Sequence, residues 1–124
     1  MSAGQTDYTS YGKLMAKVVE HIRNCYPNAV IMLMGIGDRG QKQGAEVRSM
    51  PSAVHMVDAQ RQVARATGIL FWDTREAMGG DGAIVSWAGA SPPRANKDYI
   101  HLNHHGGAVL ATEFVKSLKN ALNP

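Results

Sequence analysis

Between Ser10 and Cys25 the apolar side chains Tyr11, Leu14, Met15, Val18, Ile22 and Cys25 fall at the three-and-four spacing of one helical face. Thr9 or Ser10 is placed to cap that helix, and Pro27-Asn28 ends the pattern. Ala29-Val30-Ile31-Met32-Leu33-Met34 follows as a continuous apolar run of strand length, closed by Gly35-Ile36-Gly37-Asp38. A run without alternation predicts a strand covered on both faces. After a polar, glycine-bearing stretch to about Arg48, Pro51-Ser52 opens a second helical pattern carrying Val54, Val57, Val63 and Ala64. Gly68-Ile69-Leu70-Phe71-Trp72 is a second short apolar run with Asp73 at its end. Thr74 to Met78 reads as a helical turn stopped by Gly79-Gly80, and Ile84 to Ala88 as another. Ser91-Pro92-Pro93-Arg94 is irregular, because adjacent prolines remove donors and push the preceding residue away from helix. A loop through Asn103 and Gly106-Gly107 precedes a last helix whose apolar side is Val109, Leu110, Phe114, Val115, Leu118 and Leu122.

Helix, strand, loop, helix, strand is the order of a parallel α/β layer structure. Yet two covered strands make a sheet too narrow to shield itself, since three or more are usually needed. The pattern therefore implies further strands supplied by missing chain or by a partner copy.

The chain has 124 residues, which suits a single domain with one core over 1–124. With 44% hydrophobic and 19% charged residues it has the composition of a folded protein. Thirteen Lys and Arg against ten Asp and Glu give a net charge of +3, scattered without a basic run. Aromatic residues do not interleave with Arg or Lys, so nucleic acid is not the expected partner. Cys25 is the only cysteine; this excludes an internal disulfide, and its place in a helical pattern predicts a small buried hydrophobe. No apolar run approaches bilayer length and the first residues lack the parts of a signal peptide, so a cytoplasmic chain, without membrane partners, is expected as written.

Chemistry concentrates in Lys97-Asp98-Tyr99-Ile100-His101-Leu102-Asn103-His104-His105-Gly106-Gly107. An Asp-x-x-His spacing lets one turn bring a carboxylate back to an imidazole, fixing its tautomer and stabilising the imidazolium formed when it takes a proton. His101 would then be a general base and Asp98 its orienter. A metal reading uses Asp98, His101, His104 and His105, although adjacent histidines rarely ligate one ion together. A third reading is a polar helix start with solvated imidazoles, and on spacing alone this is the commonest of the three.

Pro27 to Gly35, then Gly68-Ile69-Leu70-Phe71-Trp72-Asp73, then Asp98-Tyr99-Ile100-His101-Leu102 with Gly106 and a terminal helix together resemble the C-terminal portion of SGNH (GDSL-type) hydrolases. The resemblance runs from about Ser10 onward. It implies a partial flavodoxin-like, three-layer α/β/α sandwich lacking its N-terminal strands, completed by the missing half or by dimerisation. It also implies that Asp98 and His101 are the acid and base of a Ser-His-Asp triad. The family's Gly-Asp-Ser nucleophile block and Gly-x-Asn-Asp block are absent: Gly80-Asp81 is followed by Gly82, and Gly35-Ile36-Gly37-Asp38 has Gly37 where the amide belongs.

Ser2, Ser10, Ser49, Ser52, Ser86, Ser91 and Ser117 remain, none in an elbow motif, and caps or turns are their expected roles. Trp72 and Trp87 read as core or pocket walls, while Arg94 and Asn96 are placed to line a site for an acyl or sugar group. Three functions compete: the one the resemblance implies, a serine esterase portion for small acyl esters such as acetyl esters of carbohydrates, nearly inert without its nucleophile; a non-catalytic, oligomerising module of the fold that resemblance implies; or a histidine-cluster metal protein. The first needs no cofactor or metal, and its partners are a small ester and either a missing N-terminal half or a second copy.

Overall fold

A computed structural model describes residues 2–123. Among them are five helices and two two-stranded sheets. They form two compact units, one of residues up to Ile36 with Pro51–Asp73, the other of Gly37–Met50 with residues from Thr74 on.

The first unit holds helices α1 (Thr9–Cys25) and α2 (Pro51–Thr67) and strands β1 (Met32–Met34) and β4 (Leu70–Trp72). Neither Thr9 nor Ser10 caps α1: Tyr8 is the cap residue, and Asp7 Oδ1 instead accepts from the Thr9 backbone N–H at 2.9 Å and the Thr9 hydroxyl at 2.6 Å. The expected apolar face of α1 is only partly used. Val19 is its buried residue, whereas Leu14, Val18 and Cys25 are exposed, so Cys25 is not the buried hydrophobe its spacing suggested. Helix α1 meets α2 near Gly12, where an added Cβ would lie 3.6 Å from Val63. Helix α2 buries Val57, Val63 and Ala64 as expected, together with Ser52, Ala53 and Gln60, while Val54 faces solvent. The buried Gln60 amide is satisfied on both ends: it accepts from Ile36 N at 2.9 Å and donates to Tyr11 Oη at 3.2 Å.

Strands β1 and β4 pair in parallel, Met32 with Leu70, Leu33 with Phe71 and Met34 with Trp72. Because side chains alternate, Leu33 and Phe71 share one face and the other two pairs share the opposite one. Arg61 covers Phe71, its guanidinium 5.0 Å from the ring centre, and pairs with Asp73 at 2.6 Å. The opposite face is only partly covered: Met32 and Trp72 are half-buried, but Met34 is 48% and Leu70 50% exposed, and Val30, just ahead of β1, is 83% exposed. Full coverage of both faces is therefore not what this two-stranded sheet has.

The second unit begins where the sequence pattern singles out no element. Strands β2 (Gly40–Gln43) and β3 (Glu46–Ser49) form an antiparallel hairpin around Gly44, which takes the positive φ of 67° such a tight turn requires. Helices α3 (Thr74–Met78) and α4 (Ala83–Ala88) follow as the short helical segments expected. Helix α5 (His104–Leu122) starts earlier than expected, because His104 to Gly107 are helical and do not form a loop. Asn103 is its cap and accepts from Gly106 N at 2.9 Å. Gly106 is required by contact: a Cβ there would fall 1.8 Å from the Arg94 carbonyl oxygen.

The core of this unit joins Met78, Ala83, Ile84, Trp87, Ala88 and Ala95, with Tyr99, Leu102, Val109 and Leu110 packed against it. The Trp87 indole N–H donates to the Met78 carbonyl at 2.9 Å, satisfying the polar end of a buried ring. Val115, Leu118 and Leu122 on the expected apolar side of α5 are exposed. A polar hub completes the unit. Asp38 is fully buried and accepts from the Ser49 hydroxyl at 2.6 Å, Ile84 N at 3.0 Å and Arg75 Nε at 3.0 Å. The Ser49 hydroxyl accepts in turn from Gly82 N at 2.7 Å.

Candidate active site

A narrow stem carries the Asp-x-x-His turn. Ala95 and Leu102 bridge in antiparallel fashion, Asn96 N donates to the His101 carbonyl at 2.8 Å, and Asn103 N donates to the Arg94 carbonyl at 3.2 Å. The stem is fixed at its base, where Arg94 N donates to the Trp87 carbonyl at 2.8 Å and the Asn103 amide to the Pro93 carbonyl at 2.7 Å. Both ends of the stem thus hang on the core and on the start of α5.

At the tip, Asp98 Oδ1 accepts from Ile100 N at 2.9 Å and His101 N at 3.0 Å. Its other oxygen lies 2.6 Å from His101 Nδ1. The hydrogen bond from the His101 ring, followed by the backbone bonds of His101 and Ile100, holds the Asp98 carboxyl down at about 2. An ionised Asp98 can only accept, so in the neutral imidazole His101 Nδ1 carries the proton and Nε2 keeps its lone pair. The pair is open to solvent, with 71% of the His101 side chain and 43% of the Asp98 side chain exposed. Such an imidazole can take a proton from a hydroxyl brought to Nε2, with the imidazolium stabilised from behind.

The remaining expected residues fall as follows. Arg94 lies beside the pair's stem with its guanidinium 5.4 Å from the Trp87 ring centre, and Asn96 is exposed at the stem's edge. His104 and His105 are exposed in the first turn of α5, and among the described residues no three His, Cys, Asp or Glu side chains are grouped to hold a metal ion. No serine among the described residues hydrogen-bonds to His101; Ser49 serves the Asp38 hub, Ser117 bonds its own helix backbone, and Ser86 and Ser91 are exposed. A cleft of about 520 Å³ in the first unit is lined by Tyr8, Lys13, His55 and Asp58 among others, and the Asp98–His101 pair does not line it. Sequence reasoning passed over Tyr99 and Gly40, which fix the turn: Gly40 N donates to the Tyr99 carbonyl at 2.7 Å. Only the glycine, in a stretch without hydrophobic period, signalled a close approach there. No helix among the described residues is long and apolar enough to cross a membrane.

No family model matches the chain, and no curated protein matches it. Solved structures do. A peptidoglycan O-acetylesterase superposes with a TM-score of 0.84 at 24% identity, over 97% of this chain and 34% of that one. The esterase domain of the ZfL2-1 ORF1 protein from the zebrafish ZfL2-1 retrotransposon superposes with a TM-score of 0.63 at 14% identity, over 94% of this chain and 62% of that one. The chain thus has the fold of part of these two esterase structures. It spans about a third of the length of the first structure and about three fifths of the second.

Proposed function

We propose that the chain carries the acid and base of an SGNH-type serine esterase acting on small acyl esters, such as acetyl esters of carbohydrates. His101 is the general base, Asp98 its orienter, and Arg94 and Asn96 line the approach for the acyl or sugar group. The supporting observation is the 2.6 Å Asp98–His101 contact on a stem tied to the core, in a chain with an esterase fold. The nucleophile and the oxyanion donors come from polypeptide outside these residues, so the chain alone is nearly inert, because losing one triad member typically costs on the order of 10⁴-fold or more in rate.

The test supplies what is lacking. Hydrolysis of a short-chain aryl acetate is followed for the chain alone and for a chimera in which residues 2–123 replace the structurally matching segment of the peptidoglycan O-acetylesterase. Background rates alone and turnover in the chimera are expected. A folded, inert chimera would remove the esterase reading, and His101-dependent turnover by the chain alone would place a nucleophile within it.

A second reading is favoured by the partly exposed sheet face. Exposed Val30, Met34 and Leu70 suit a non-catalytic module that closes its sheet by self-association. It predicts a concentration-dependent dimer indifferent to His101→Ala, read by sedimentation.

A further inference from the structure

Apart from its bond to Asp98, the His101 ring has no hydrogen bond among the described residues, and more than two thirds of its side chain is in solvent. Its direction therefore depends on the turn that presents it. Within that turn Tyr99 has a φ of 58°, in the left-handed region that a residue with a bulky side chain seldom takes unless its surroundings hold it there. This conformation folds the chain back so that the N–H groups of Ile100 and His101 reach Asp98 Oδ1.

Three features hold Tyr99. Its own N–H donates to the Asn96 carbonyl at 3.1 Å, its carbonyl accepts from Gly40 N at 2.7 Å, and its side chain is half-buried against the core cluster of this unit. Gly40 has no room for a side chain: a Cβ there would lie 2.8 Å from Tyr99 Cβ, 3.1 Å from Val47 and 3.3 Å from Ile84. Gly40 is also fixed from behind. It pairs in register with Ser49, whose hydroxyl is bonded to the buried Asp38. A continuous set of contacts thus runs from Asp38 through Ser49, Gly40 and Tyr99 to the acid–base pair.

We infer that Tyr99, clamped by Gly40 of the β2–β3 hairpin, is a positioning residue that holds the turn in which Asp98 fixes the tautomer and direction of His101. As a statement about catalysis this rests on the esterase reading; as a statement about the imidazole it does not. The hairpin, polar and catalytically silent by composition, is then the support on which the acid–base turn is built. Side-chain size at position 40 and the ring at position 99 are its two requirements. The phenolic hydroxyl is not one of them.

The experiment is nitrogen NMR of the full chain with labelled histidine, which distinguishes the Nδ1–H from the Nε2–H form of the neutral imidazole. The Nδ1–H form is expected to dominate at His101 and to be lost in Asp98→Ala. Gly40→Ala and Tyr99→Gly are expected to lose it to the same level, while Tyr99→Phe keeps it. The backbone amide spectrum reports whether each variant is folded. Should Gly40→Ala unfold the hairpin, Tyr99→Gly decides alone, since glycine retains both the carbonyl and the left-handed conformation and lacks only the ring. A folded Tyr99→Gly chain with the wild-type tautomer would overturn the inference and leave the Asp98 turn self-sufficient. A tautomer that responds as expected beside an inert chimera would keep the positioning role and discard the esterase reading.

Discussion

The first unit has the more hydrophobic strands and leaves them partly exposed; the second has few apolar runs, and its strands are anchored on a buried carboxylate. Val30, Met34 and Leu70 come from the two most apolar stretches of the sequence, yet each is about half exposed or more. In the second unit a hairpin of Gly40-Gln41-Lys42-Gln43 and Glu46-Val47-Arg48-Ser49, almost devoid of hydrophobic residues, is locked by the wholly buried Asp38. An apolar run shows that a strand is meant to be covered, but only a partner surface covers it. Polar anchoring needs no such partner, because Asp38 meets its donors Arg75, Ser49 and Ile84 within the unit.

The contrast can be broken most severely at Asp38. Each unit has one tryptophan, Trp72 in the first and Trp87 in the second, so Trp87 in a Trp72→Phe background reports the second unit. Asp38→Ala leaves Arg75 with only the exposed Asp81 and strips Ser49 and Ile84 N of their buried acceptor, and should cost about 3 kcal/mol by denaturant unfolding; a loss under about 1 kcal/mol would show that the hub does not hold the unit. Gly106→Ala forces a Cβ into the Arg94 carbonyl and should cost about 2–3 kcal/mol by the same probe. By contrast, Leu70→Thr, read by Trp72 with Trp87→Phe, should change stability by less than about 0.5 kcal/mol, as an exposed substitution does. A larger, concentration-dependent loss would mean that a second copy covers this face, and would favour the self-associating reading.

The smallest effect lies at the turn. Asp98 is held at about 2, below the ordinary 3.8, so its hydrogen bond contributes fully above the unfolded value and is lost as the pH falls through about 2. Carboxyl NMR should therefore show Asp98 ionised well into acid. His101→Ala removes the largest cause and should move its midpoint upward toward the ordinary value; an unchanged midpoint would show that the backbone bonds alone hold it.

Much of this was legible in the sequence, for identifiable reasons. The helices showed through their three-and-four period, and the two parallel strands through short apolar runs bounded by glycine and proline. Asp98 and His101 were legible because their spacing matches one turn, and the structure brings them together. The hairpin was not, since Val47 is its single large apolar residue and no alternation marks it. The start of α5 was misjudged because Gly106-Gly107 suggested a loop, whereas Gly106 serves a close approach to Arg94 inside a helix. The exposure of Leu14, Val18 and Cys25 could not be read at all, because periodicity gives a face and not what lies against it. Tyr99 escaped notice because nothing in a tyrosine's identity announces a positive φ.

The most direct test of the central claim is kcat/KM for aryl acetate hydrolysis by the chimera with the peptidoglycan O-acetylesterase, compared with the same chimera carrying His101→Ala. A fall on the order of 10⁴-fold, with folding intact, is the result expected of a triad base. Equal turnover by the two would contradict the account and leave Asp98 and His101 as a solvated turn ahead of a helix.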